Sequence, residues 1–192
     1  MKKVNTEIKK TVYESTLSIV LCSVIELIAG IFLLHIENEI KLLPGLLILL
    51  PGILDMRGNI FCALGSRLSS ALHLGYIEPS FKLTPTLKTN IFATLLLNII
   101  MPSSLAIFAY LTTILLGFEH ISLIAFLLIS LISSFLSGII LIFIIIFIAI
   151  LSYRFGLDPD NITTPLAATL GDITVVFFLL VTVKFILWVG II

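Results

Sequence analysis

Between residues 121 and 153 the chain carries no charged side chain: ISLIAFLLISLISSFLSGIILIFIIIFIAILSY is almost wholly Leu, Ile and Phe, relieved by Ser, Ala and Gly. The hydrocarbon core of a bilayer is about 30 Å thick and takes roughly 20 apolar residues to cross as a helix. Without water, the backbone of a crossing segment must pair with itself, which a helix does and an open strand does not. The run is therefore a membrane helix, and its unbroken apolar character predicts a helix facing lipid. Composition extends the conclusion to the whole chain. Hydrophobic residues make up 59% and charged residues 11%, with a mean hydropathy of +1.26, whereas soluble domains run near 45–50% apolar and about 25% charged. The fold class is all-α integral membrane.

Five apolar runs are expected to cross: 16–34, 42–74, 90–116, 121–153 and 164–190, with one polar cytoplasmic segment, 1–15, before them and one membrane domain, 16–192. The second run is too long for one straight span. Pro44, Pro51, Gly52, Gly58 and Gly65 interrupt it, which predicts a bent or broken helix lining a cavity. The opening MKKVNTEIKK is polar, so no cleavable signal peptide is expected. Lys2, Lys3, Lys9 and Lys10 precede the first run, Lys82 and Lys88 lie between the second and third, and Arg154 lies between the fourth and fifth. This bias predicts a multi-pass protein of the cell membrane with its N-terminus cytoplasmic and its C-terminus outside. A formal net charge of zero offers nothing to nucleic acid. Cys22 and Cys62 sit in apolar runs and suggest neither a disulfide nor a thiolate metal site.

Polar residues inside such runs carry the functional information. Asp172 leads this set. A helix entered near Thr164 would bring it roughly 12 Å deep, where a carboxylate costs about 2.5–3.5 kcal/mol and marks a functional site by default. Thr169, Ala168 and Pro165 lie three, four and seven residues before it, with Asn161 and Asp158 further back on the same helical face. Oxygen atoms and small side chains in that pattern suit a hydrated hard cation such as Mg2+. In the second run Asp55, Asn59, Cys62, Ser66, Ser70 and His73 recur at helical spacing, while Gly58 and Gly65 permit close helix approach. The two stripes are expected to face each other across a wet path, with Asp55, Thr169, Ser66, Asn161 and Pro165 lining it. The competing arrangement is an internal network in which Arg57 or Arg67 neutralises Asp55 or Asp172. At least one arginine is expected to be structural, and Arg67 is the better placed to reach the cytoplasmic interface. Glu26 either lines the path or bonds a neighbouring helix. Two membrane aspartates also admit a different class, an intramembrane aspartyl enzyme in which Asp55 and Asp172 share a proton. Thr169 and Leu54 stand where such proteases carry Gly and Tyr.

Pro51, Gly58-Asn59 and Ser66-Arg67-Leu68-Ser69 in the second run, with Asp158-Pro159-Asp160-Asn161, Pro165 and Gly171-Asp172 in the fifth, make the chain resemble the membrane domain of the MgtE and solute-carrier-41 magnesium transporters. The resemblance implies a transporter, not an enzyme, with no cofactor beyond the transported Mg2+. It implies a five-helix unit that pairs as a homodimer, or as a heterodimer with a sister unit, the second and fifth helices of both copies lining a central pore. Asp172 then holds the ion with backbone oxygen near Ala168, Asn59 lies on the facing helix, and Asp158 marks the cytoplasmic mouth. Bacterial members carry a large cytoplasmic sensor region, so their gating is not carried over to the short segment that precedes the first run here.

Overall fold

The computed structural model describes residues 2–41 and 43–190, with side chains described outside 2–6, 36 and 38–41. Five helices follow in order: α1 (Lys2–Lys41), α2 (Leu46–His73), α3 (Pro85–Leu115), α4 (Leu123–Arg154) and α5 (Pro159–Val189). All five contain stretches long and apolar enough to cross a membrane.

The five expected crossings are present; α3 and α5 start five residues earlier than their apolar runs, whereas α2 and α4 start inside theirs. Thr84 accepts a hydrogen bond from the Leu87 amide at 3.2 Å and Pro85 opens α3; Ser122 accepts from the Ala125 amide at 3.2 Å to start α4. Asp158 does the same for α5, accepting from the Asp160 amide at 3.0 Å, with Pro159 as first residue. A side-chain acceptor followed by a preset proline is a helix start, so α5 begins five residues earlier than its apolar run. Asp172 still falls at the middle of its 31 residues. The polar flank 2–15 is the first part of α1, whose 40 residues span roughly 60 Å; Glu7–His35 is its membrane-competent part.

The second helix is not broken. It is one uninterrupted α-helix from Leu46 to His73, Pro51 included. The chain turns before it, at Gly45, whose φ of 85° is left-handed. A side chain on Gly45 would also meet the Phe126 ring at 2.9 Å. Pro51 lies in the second turn, where its ring removes only one intrahelical bond, so it is carried without a break. Leu42, the expected first residue of that span, lies outside the described residues.

The apolar α4 is lipid-facing on one side only, where Ile124, Phe143 and Phe147 are exposed. It packs against α5, α3 and α2, and Ser130, Ser133, Ser134 and Ser137 along it are all fully buried. Those small residues and Gly138 let α3 come close: Asn98 donates its amide to the Ser134 carbonyl at 3.0 Å, and the Ser130 hydroxyl donates to the Pro102 carbonyl at 2.9 Å. Lipid is as apolar as Leu, so hydrophobicity alone does not choose a helix's lipid side, whereas small residues choose its packed side. The peripheral helix is α1, which packs mainly on α5.

Two apolar clusters fill the bundle. One joins Leu46, Leu49, Phe126, Val176 and Val183, and the other joins Phe61, Leu64, Leu141, Ile145 and Ala167. Between them runs a polar layer of Arg57, Asn98 and the α4 serines, all fully buried.

Candidate cation site

Asp55 and Arg57 stand on the same turn of α2 and point apart. Arg57 is fully buried. Its Nη2 donates to the Ser134 carbonyl and the Ser137 hydroxyl of α4, and its guanidinium lies 5.4 Å from the centre of the Phe61 ring. It is a structural arginine, but its partners are serines and not an acid; the internal network that pairs it with Asp55 or Asp172 is not formed. A buried guanidinium is held here by α4 oxygens, which leaves the carboxylates to be satisfied elsewhere.

The helix pair α2 and α5 meets at small residues. A Cβ on Gly58 would lie 4.0 Å from the Ala168 methyl, one on Gly171 would lie 3.8 Å from the Arg57 Cβ, and Gly65 faces the Thr163 methyl. The Cys62 thiol donates to the Thr164 carbonyl at 3.3 Å. The two helices are therefore in direct contact, and no wet path separates them within one chain. Their polar residues flank the contact instead. Asp55 and Asn59 are exposed, with the Asn59 amide donating to the Asp55 carboxylate at 3.0 Å. Both line a groove of about 400 Å³ toward α3, with Met56, Met101 and Phe108. Asp172 is partly exposed on α5. Glu26 of α1 and Asp55 of α2 are its acidic neighbours. Three helices thus bring Glu26, Asp55, Asn59 and Asp172 to one mid-span region. Among the described residues no three His, Cys, Asp or Glu side chains form a ready metal cage, so any ion held here keeps much of its water.

The remaining expected site residues divide between places. Ala168, Pro165 and Asn161 are partly exposed along α5, while Thr169 turns into the bundle. Ser66 and Ser70 are exposed in a separate recess between α2 and α3 that also contains Arg67. At the start of α5, Asp158 lies 3.5 Å from His73 Nε2, and Glu14 of α1 ties the corner together. The Glu14 carboxylate accepts from the Asn161 amide at 3.1 Å and from the Asp158 backbone N–H at 3.4 Å, and pairs with Lys10 at 3.6 Å. Lys10 in turn donates to the Gly156 carbonyl at 3.0 Å. Sequence reasoning passed over Glu14 because it lies in the polar flank; its spacing of four from Lys10, next to an apolar run, was the available signal.

Fold and site together define a multi-pass helical membrane protein with an acidic mid-span site, the arrangement of ion-handling proteins. Residues 50–182 match the MgtE family model, described as a divalent cation transporter. Solute carrier family 41 member 2 of Gallus gallus is 30% identical over 154 residues, covering 74% of this chain and 24% of that protein; the same protein of Homo sapiens gives the same figures. Solute carrier family 41 member 3 of Mus musculus is 28% identical over 150 residues, 76% of this chain and 30% of its own length. No solved structure matches. The chain belongs to the MgtE family of divalent cation transporters. It spans about a quarter of the length of the member 2 relatives. The family match covers Asp55, Asn59, Asp158, Asn161 and Asp172 but not Glu14 or Glu26. A family of transporters disfavours the aspartyl enzyme, and the Asp55 carboxylate is bonded to Asn59.

Proposed function

We propose that the chain moves a divalent cation, Mg2+ by preference, along the α2–α5 face when two copies bring those faces together. The observation that carries this reading is the exposure of Glu26, Asp55 and Asn59 beside a partly exposed Asp172. Each acid left against lipid costs about 2.5–3.5 kcal/mol on insertion scales, and a second copy of the chain or a sister unit removes that exposure by closing over the face. The ion then passes between two Asp172 carboxylates, largely hydrated, with Ala168 backbone oxygen and Asn59 beside it. Asp55, Pro165 and Asn161 border the path, and Asp158 draws ions to the mouth; Ser66, in the α2–α3 recess, and the buried Thr169 are not part of it. Lysine and arginine placement supports a cytoplasmic mouth and N-terminus, with the C-terminus outside.

Divalent flux into liposomes tests the reading. Asp172→Asn keeps shape while removing charge, so the variant should fold and assemble but lose Mg2+ uptake; Asp172→Glu should retain part of it. Asp158→Asn should lose less, because Asn also serves as a helix cap and the site is wetter. Normal Mg2+ flux through a well-folded Asp172→Asn protein would end the claim.

A further inference from the structure

One end of the bundle is basic on the α2–α3 side. Arg67, Lys82, Lys88 and Arg154 belong to this end, and Arg154 donates to the Pro79 carbonyl at 2.6 Å in the connecting loop. The nearby acids are engaged: Glu78 with Lys82 at 3.9 Å, and Glu14 and Asp158 on the α5 side with Lys10, Asn161 and His73. Behind the loop α2 and α3 leave a recess of about 370 Å³ whose polar lining is Ser66, Arg67, Ser70, Tyr76, Thr86 and Asn90. Arg67 is the one charged residue in that lining.

Arg67 sits six residues before the end of α2, roughly 9 Å below it, and is only partly exposed. A guanidinium has five donors. Here Nη2 reaches the Thr94 hydroxyl at 3.3 Å, and that hydroxyl already donates to the Asn90 carbonyl at 2.8 Å. Nε is buried without a partner, and among the described residues no carboxylate pairs with Arg67. A cation sunk below the interface with donors to spare calls for an anion with several oxygens, and a phosphodiester matches the guanidinium fork. Thr86 and Asn90 come from the first two turns of α3, whose N-terminus adds positive potential and has no acid in its first turn. Leu74, Tyr76, Phe81 and Leu83 are exposed apolar residues around the same corner, suited to lying beside acyl chains. Basic pockets between helices at headgroup level bind anionic lipid.

We propose that this recess binds the phosphate of an anionic phospholipid, with Arg67 as its charged donor and Ser66, Ser70 and Asn90 as neutral ones. Free phosphate shares the chemistry, and the membrane is favoured as the source because apolar residues rim the corner.

The test uses the whole protein in an uncharged detergent, with phosphatidylglycerol, phosphatidylcholine or inorganic phosphate added, read by thermal unfolding and by native mass spectrometry of retained lipid. Phosphatidylglycerol should be retained and should raise the unfolding midpoint. Arg67→Gln should weaken its apparent affinity about tenfold or more, since a charge-assisted pair is lost, and Arg67→Lys should restore part. Ser70→Leu keeps the arginine but fills the recess, and it should also lose the lipid, so the test survives if Arg67→Gln does not fold. Unchanged phosphatidylglycerol affinity in either Arg67→Gln or Ser70→Leu overturns the proposal. Equal retention of phosphatidylcholine, or an equal midpoint shift from inorganic phosphate, overturns the assignment to an anionic lipid.

Discussion

Gly138 is the tightest point of the bundle, and replacing it tests the polar layer that organises α3 and α4. A Cβ there would overlap the Asn98 side-chain amide, which is fully buried and donates to the Ser134 carbonyl at 3.0 Å. In Gly138→Ala either the helices separate or Asn98 swings away. Overpacking of this kind costs about 1–3 kcal/mol, and a buried amide left without its acceptor costs about 1–3 kcal/mol more. The gain in helix propensity on going from Gly to Ala offsets roughly 1 kcal/mol. The net expectation is a loss of up to about 2 kcal/mol by either route alone, and of about 1–5 kcal/mol where both occur. Gly58→Ala is the matched control, since its new methyl meets only the Ala168 methyl at 4.0 Å, ordinary contact distance; that variant should equal wild type or exceed it slightly. The measurement is unfolding in mixed micelles of a mild detergent with increasing denaturing detergent. A Gly138→Ala protein as stable as Gly58→Ala would refute the close α3–α4 approach, and with it the central place of α4.

Three further outcomes follow from other contacts. Glu14→Ala removes the acceptor for the Asn161 amide and the Asp158 N–H, so hydrogen exchange in the first turn of α5 should quicken by on the order of tenfold, while α4 stays protected. Thr84→Ala deletes the α3 cap and should lower stability by about 1 kcal/mol, seen as a lower unfolding midpoint with transport intact. Ala63→Cys, in a background without Cys22 and Cys62, places a thiol on the exposed α2 face; oxidation should yield a covalent dimer in membranes, and monomer alone would count against pairing through that face.

What could be read from residues alone depended on how local the cause was. Asp172 announced itself because a carboxylate amid Ile, Val and Phe is anomalous at any register. The caps at Thr84 and Asp158 are visible in the sequence, yet the apolar runs 90–116 and 164–190 begin after them, since hydropathy reports solvent and not hydrogen bonding. That α4 also has a packed face is less legible in the sequence, because only the small volume of Ser130, Ser133, Ser134, Ser137 and Gly138 marks it. Glu26 and Glu14 were ambiguous because their partners lie on α5, more than 140 residues away in sequence, and spacing carries no information over that separation.

Arg57 shows how these pieces constrain one another. On composition it is the natural counter-charge for Asp55 or Asp172, and such a pair would leave a membrane bundle electrically quiet. The structure sends its guanidinium the other way, to the Ser134 carbonyl and Ser137 hydroxyl of α4, and Arg67 meets Thr94 and no acid. Neither arginine neutralises Glu26, Asp55 or Asp172. Glu26 and Asp55 are the acidic neighbours of Asp172, and neighbouring carboxylates repel one another unless protons or a cation join them. Under the proposed function a mobile cation is the counter-charge of these acids, and the serine stripe of α4, by taking Arg57, leaves that place unfilled by an arginine.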